Sequence, residues 1–386
     1  MATRETNAQE ASRPLVELEQ GLALAGLVAF TDPPRAGVRE TLARVAAAGI
    51  RTVMVTGDHP ATAAAIAAEV GIAAERVLTG KELDGLDDAA LAKAVKEVSV
   101  YARATSQHKH RLVVALQKNG EVVAVTGDGV NDALALKAAD VGVAMGIKGT
   151  DVAKEAAQAV LADDNYATLA RGVFEGRHFF DNLSKGVNYY LAVKVGLIAI
   201  FLLPVLVGLP LPFSPIQIIL LELFMDLAAS AGFVAEPAET DIDRRRPRRA
   251  AAALLDASAI RAVLFKGLLL FAAVMAAYGW ASWQELPVAA VQSCAFAAWM
   301  VGHVALAFIS RSDRDWIVHH GLFANRVMNL WAVTAIVFLL LAVYLPPLRE
   351  ALRFGIVSPA QLGVSALLAL LLVSPAELRK VFSSRR

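Results

Sequence analysis

The sequence predicts an α/β domain on a partial, doubly wound parallel sheet, followed by an α-helical membrane domain of six transmembrane helices. Short β-branched runs alternate with helical patterns between Gly26 and Leu161, the arrangement that gives parallel strands with right-handed crossovers. From Val187 onward, six apolar stretches each approach the ~20 residues that cross a ~30 Å hydrocarbon core. Two of the early strands end in the same turn, Thr-Gly-Asp, at 56–58 and 126–128.

Residues 1–20 read as a polar lead-in with no core of their own. Gly26 to Phe30 reads as a strand, Arg35 to Ala48 as a helix and Thr52 to Val55 as a strand. Pro60 to Val70 reads as a helix opened by proline in its first turn and stopped by Gly71. Asp87 to Lys96 is expected to be helical, Val98 to Ala102 a strand and Gln107 to Lys118 a helix. The valine-rich run Val122 to Val125 reads as a buried strand. The turn after it feeds a helix starting near Val130, and Val141 to Met145 and Ala159 to Leu161 supply two more strands. Asn165 to Leu203 contains no proline and changes from helical periodicity to apolar on all sides. It reads as one helix entering the bilayer, able to pass a shift in the sheet's ligand site to the first span as a rigid-body tilt.

The expected spans are Val187 to Gly208, Phe213 to Phe233, Ile260 to Ser282, Pro287 to Ile309, Val327 to Leu345 and Ile356 to Val373. The chain has 386 residues, 56% of them apolar, and its net charge of +1 hides a division, because charge concentrates in the first half and the loops. Arg244, Arg245, Arg246, Arg248 and Arg249 follow the second span, Arg311, Arg314 and Arg326 the fourth, and Arg379, Lys380, Arg385 and Arg386 the sixth. By the positive-inside rule these groups are cytosolic. Met1 to Arg13 is polar and charged rather than an apolar signal stretch. Both termini are therefore expected on the cytosolic side of a bacterial-type inner or plasma membrane. The single cysteine, Cys294, lies within a span, which excludes an intrachain disulfide and a cysteine metal cluster.

The chemistry concentrates in AVTGDGVNDALALKAADVGVAMG, Ala124 to Gly146. Asp128 and Asp132 fall at the carboxyl edge of the sheet, where open α/β sheets bind ligands, and with Asn131 between them they can hold hydrated Mg²⁺ and a phosphate. Thr56, Gly57 and Asp58 end an earlier strand and precede a helix, whose amino terminus favours anions. One such turn is ordinary loop chemistry. Two converging on one sheet edge point to a phosphate site. Lys109, near the start of its helix, can reach the same crevice as a point charge, although a solvated helix lysine is the plainer reading.

The residues FTDPPR (30–35), MVTGDHPATA (54–63), ARATSQHK (102–109), TGDGVNDALALKAADVGVAMG and VLADDNY (160–166) resemble successive signatures of P-type cation-transporting ATPases, of the calcium- and proton-pump-like branch. These pumps belong to the haloacid dehalogenase superfamily. The resemblance covers about Leu22 to Phe382, including IDRRRPRR (242–249) and YLPPLR (344–349). It implies a partial Rossmann-like haloacid dehalogenase sheet over 21–164, a stalk helix over 165–186, six spans over 187–376, the family's fifth to tenth, and a cytosolic tail over 377–386.

Carried over, the resemblance makes Asp128 the Mg²⁺ ligand, with Asn131 and Asp132 supporting the phosphorylation site. Thr56, Gly57 and Asp58 would contact the phosphate, Thr126, Gly127 and Gly129 would shape its cradle, and Lys109 would be the stabilising cation. The family usually has proline where Leu134 stands and an acid–proline pair where Thr105 and Ser106 stand. The cofactors implied are Mg²⁺ and, in the complete pump, ATP. The family's acceptor aspartate lies in a DKTGT motif that these 386 residues do not contain. Asp241-Ile-Asp243 and Asp313-Arg-Asp315 have the letters of a substitute, but they occupy loops between spans without a preceding strand. Phosphoryl transfer needs a positioned acceptor. The chain alone is therefore not expected to autophosphorylate, and a second polypeptide with actuator domain, DKTGT and nucleotide-binding domain is the implied partner.

Glu222 and Asp226 stand four apart in the second span and Lys194 lies in the first. Charges in hydrocarbon are costly and by default face a partner or an ion path, although Lys194 could snorkel to the interface. By resemblance Glu222 and Asp226 occupy cation-binding positions in the family's sixth helix. Lys194 stands where calcium pumps have an amide, and Leu197 where they have an acid. A lysine paired with Asp226 takes the place of one bound cation, which favours a proton or a single cation as cargo. His303 reads as a packing histidine rather than a ligand. The partners expected are the membrane and the transported cation, with no nucleic acid. The competing class is a non-catalytic membrane scaffold or partner subunit keeping the pump fold. A free-standing phosphatase is disfavoured because its nucleophile is missing.

Overall fold

The computed structural model describes residues 1–6, 13–28, 33–222, 227–248, 254–313 and 315–383. The chain divides into two compact units, one of residues 1–43, 52–119 and 123–160, the other of residues 44–51, 120–122 and 161–386.

In the first unit, β1 (Ala2–Thr3) pairs antiparallel with β2 (Ala23–Leu24), and both are exposed. The strand expected from Gly26 to Phe30 does not form at 26–28, and 29–30 lie outside the described residues. Leu27 is 91% exposed: an apolar run makes a strand only where a neighbour pairs its backbone. Two parallel sheets follow. The first has the order β3 (Met54–Val55), β5 (Val100–Ala102), β4 (Val77–Thr79), and the second the order β6 (Ala124–Gly127), β7 (Val141–Met145), β8 (Ala159–Leu161). Each sheet therefore ends on the strand that carries a Thr-Gly-Asp turn.

The Ser106–Lys118 helix splices the two sheets. Leu112 and Ala115 pack with Leu78 and Tyr101 of the first, and Val113 packs with Val123, Ala135 and Ala139 beside the second. Adjacent faces of one amphipathic helix thus serve two small cores, with Leu116 shared between them. Strand β4 and the one-turn helix Gly80–Asp84, closed by a Thr79–Glu82 capping box, had no reading in the sequence.

In the second unit the stalk and first span form one helix, Tyr166–Leu206, of 41 residues, capped by Asn165. Among the described residues five helices are long and apolar enough to cross a membrane: this one, Ala257–Trp283, Val288–Ile309, Arg326–Tyr344 and Pro359–Lys380. The Val288–Ile309 helix is the bundle's centre, with Cys294, Phe296, Trp299 and Met300 fully buried. The stretch expected as the second span is not one long helix among the described residues. Pro215–Leu220 is α-helical, Leu221 and Glu222 adopt π-type backbone, and Leu227–Gly232 is helical again, passing into a 3₁₀ turn at Phe233–Ala235. Asp226 lies outside the described residues. A widened turn leaves carbonyls outside the regular ladder and is found disproportionately at functional positions in helices.

Candidate functional site

Strand β6 delivers its turn at a sheet edge because Gly127 is the residue that fits there: a Cβ at this position would stand 2.4 Å from the Cβ of Asp132. The chain then folds back through a 3₁₀ turn, Val130–Asp132, and Asp132 is buried beneath it. Oδ2 of Asp132 accepts the amides of Asp128 and Gly129, each at 3.2 Å, and Oδ1 lies 2.5 Å from Lys109 Nζ. Asp132 therefore shapes the loop, while Asp128 is exposed at its tip together with Asn131 and Thr126.

Ser106 Oγ donates to Asn131 Oδ1 at 3.2 Å. Thr105 caps the same helix through His108, whose Nε2 lies 2.8 Å from Asp84. The two positions that depart from the family's acid–proline pair thus cap the lysine's helix and hold the asparagine. A Thr-x-x-His cap was the signal available in the sequence.

The earlier turn, from the other sheet, meets the residues that lead into the same helix. The Ala104 amide donates to the Thr56 carbonyl at 2.9 Å and the Arg103 amide to the Asp58 carbonyl at 3.0 Å. Thr56 Oγ1 accepts the Asp58 amide at 3.1 Å, leaving Gly57 and Asp58 exposed. The backbone that carries Lys109 is thereby tied to both Thr-Gly-Asp turns, to one by main chain and to the other by side chain. Exposed hard oxygens on Asp128 and Thr126 suit Mg²⁺, which takes one or two carboxylates and fills its remaining positions with water and phosphate. Among the described residues no group of three or more His, Cys, Asp and Glu converges into a protein-only metal cage.

In the membrane unit, Lys194 Nζ lies 2.7 Å from Glu222 Oε2 and 5.1 Å from the centre of the Tyr190 ring. Lys194 is thus paired with Glu222, while the expected partner Asp226 lies outside the described residues. An open cavity of about 540 Å³ borders the pair, lined also by Leu197, Ile198, Phe201 and Ile218. His303 is fully buried among the rings of Tyr189, Trp299 and Trp331, with centroids 5.4, 5.7 and 5.9 Å away.

Sequence reasoning missed a polar layer beyond the Leu227–Gly232 helix. Arg245 binds Asp181, Glu239 and Asp241, and Lys185 Nζ lies 2.8 Å from Glu239. Burial pushes the Glu239 carboxyl up, but Lys185, Arg245 and Ser312 outweigh it and hold the group below the usual glutamate range.

Two short parallel sheets, in place of the single doubly wound sheet expected, each ending on a Thr-Gly-Asp strand, in a chain with apolar spanning helices, define an integral membrane protein with a haloacid dehalogenase-like domain. Residues 2–140 match the model of the haloacid dehalogenase-like hydrolases, and residues 210–382 that of the cation transporting ATPase C-terminus. The chain is 36% identical over 372 residues to a calcium-transporting ATPase of Bacillus subtilis, covering 94% of this chain and 42% of the relative. It is 37% identical over 377 residues to one of Listeria monocytogenes, covering 96% and 42%. To the human calcium-transporting ATPase type 2C member 1 it is 34% identical over 338 residues, covering 86% and 36%. The chain belongs to the P-type cation-transporting ATPases and spans less than half the length of these relatives.

Proposed function

We propose that the chain is the C-terminal portion of an ATP-driven cation pump, contributing half of a phosphorylation site and a membrane cation site. The observation that carries this reading is the joining of Lys109 to Asp132 at 2.5 Å, beside an exposed Asp128, on a helix whose lead-in, Arg103 and Ala104, is bonded to the Thr56–Asp58 turn. Asp128 would hold Mg²⁺, which neutralises charge on a transferring phosphoryl group. Lys109 sits to receive one phosphoryl oxygen. Thr56 and Asp58, with the Thr126, Gly127 and Gly129 backbone, would position the others. Asn131, fixed by Ser106, orders the loop.

The acceptor carboxylate would come from a segment outside these 386 residues. Each sheet ends on its Thr-Gly-Asp strand, so one further parallel strand between β3 and β6 would join them and bring its carboxyl end to both turns, at a topological switch point. A second polypeptide with actuator and nucleotide-binding domains and ATP is the implied supplier. In the membrane we place six spans, with Phe213 to Phe233 as the second, both termini cytosolic, and the boundaries 21–164, 165–186, 187–376 and 377–386 for sheet domain, stalk, spans and tail. Glu222 and Asp226 would bind the cargo, with Lys194 as internal counter-charge. The relatives are named for calcium transport; a lysine ammonium in the site favours a single cation or a proton over two calcium ions.

Labelled ATP tests the reading. The purified chain should take no label, and label should appear with a partner carrying DKTGT, on the partner's aspartate. Acid-stable, hydroxylamine-sensitive label on this chain alone would overturn it.

A further inference from the structure

Glu236 lies just beyond the 3₁₀ turn Phe233–Ala235 and is held from two sides by different groups. Its carboxylate is buried against Arg311, which follows the Val288–Ile309 helix: Nε lies 3.0 and 2.9 Å from the two oxygens and Nη2 lies 2.9 Å from Oε1. Asn325 Nδ2 donates to the same carboxylate at 2.7 Å and to the Gly232 carbonyl at 2.9 Å. The Glu236 carbonyl belongs to the stalk. His178 Nε2 and Asn182 Nδ2 each stand 2.7 Å from it.

One face of the stalk, His178, Asn182 and Lys185, thus grips the segment after Gly232, since positions i, i+4 and i+7 share a helix side. Lys185 takes Glu239, whose other contacts include Ser312, the neighbour of Arg311. Arg311 does not touch the stalk in any of these bonds. It reaches the stalk through Glu236. Both side chains are about 1% exposed, and a buried carboxylate stripped of its guanidinium is strongly unfavourable. If Arg311 is lost, the carboxylate must protonate or move toward water, and either loosens the hold on the element that carries Glu236.

We propose that Arg311 is a positioning residue for the cation-site segment, acting through Glu236 to register residues 227–236 against the stalk helix. The role rests on the reading of Glu222 as part of the cation site, fourteen residues before Glu236 in the same segment. A shift of the stalk would then reach that segment through the Glu236 carbonyl, with its carboxylate anchored to Arg311 and Asn325.

The test is hydrogen exchange by mass spectrometry on the full chain in lipid nanodiscs without added cation, so that a failed cation reading and a failed linkage give separate results. Arg311→Gln should raise exchange at least threefold in peptides covering 178–186 and 227–236, neither of which contains the substitution. Arg311→Lys, which keeps the charge but loses the fork, should fall between that variant and the parent. Asn325→Ser keeps a helix-capping hydroxyl and removes one donor to Glu236, so a smaller change in the same peptides is expected even if Arg311→Gln does not fold. Changes confined to 310–325, or identical behaviour of Arg311→Lys and Arg311→Gln, would overturn the proposal. Calcium binding by the parent chain, measured separately, tests the cation site alone.

Discussion

Lys109 and Asp132, from helices on either side of the second Thr-Gly-Asp turn, meet with Nζ 2.5 Å from Oδ1. Their side chains are 22% and 10% exposed, so the pair is neither a surface bridge nor fully buried. The other oxygen of Asp132 is occupied by two loop amides. Replacing Lys109 with methionine leaves a largely buried carboxylate with one oxygen unpartnered. Thermal unfolding of the solubilised chain should show a loss of about 1–3 kcal/mol, and an unchanged transition would mean the pair does not hold the loop.

Gly127 should tolerate no side chain. Its Cβ would overlap Asp132 at 2.4 Å, and either the turn or the carboxylate must shift. Gly127→Ala is expected to cost about 1–3 kcal/mol, while the neighbouring Gly129→Ala, with its nearest atom at 3.8 Å, should cost clearly less. Equal costs for the two would count against the close approach as the reason for glycine.

Lys194 contacts Glu222 within the membrane unit. Under the proposed cation site, Lys194→Ala removes an internal competitor and leaves the acid to find another counter-ion, since an isolated charge in hydrocarbon is costly. Cation binding by isothermal titration should strengthen on the order of tenfold, about 1.4 kcal/mol. Identical binding in parent and variant would remove the counter-charge role.

Glu239 gives an acid dependence whose sign is fixed by its environment. Its folded carboxyl lies below the ordinary value of 4.5, so the stabilisation is fully present above that value and fades as pH falls through the lowered folded value. Glu239→Gln removes the group, so the variant's stability should fall less steeply than the parent's below about pH 4.5. Parallel acid limbs for the two proteins would show that Lys185 and Arg245 do not stabilise its charged form.

Much of the architecture was legible because it depends on local pattern. The helix Pro60–Val70, the strands Val141–Met145 and Ala159–Leu161, and the stalk running unbroken into the first span follow from caps, β-branched runs and apolar periodicity. Elements that depend on a neighbour were not. Val77–Thr79 becomes a strand because β5 lies beside it, whereas Gly26–Val28, equally apolar, stays irregular and exposed. The arginines after the second span were read as topology charges, yet Arg245 is engaged by three acids, and Arg177 donates to the carbonyls of Ala48, Ile242 and Arg245.

By itself the sequence determined the kind of protein: two Thr-Gly-Asp turns after parallel strands, a lysine helix between them, and apolar stretches long enough to span a bilayer. Each is a short-range property, written in consecutive residues. The tertiary structure decided which groups meet. It gave Asp132 to Lys109 and to the loop amides, leaving Asp128 exposed, and it brought Lys194 against Glu222. It also buried Glu236 between Arg311 and the stalk. Apart from the loop amides, three and four residues from Asp132, those pairings join residues 23 to 75 positions apart in the chain, and no local pattern encodes them, because a buried charge is satisfied by whichever partner the packed helices deliver.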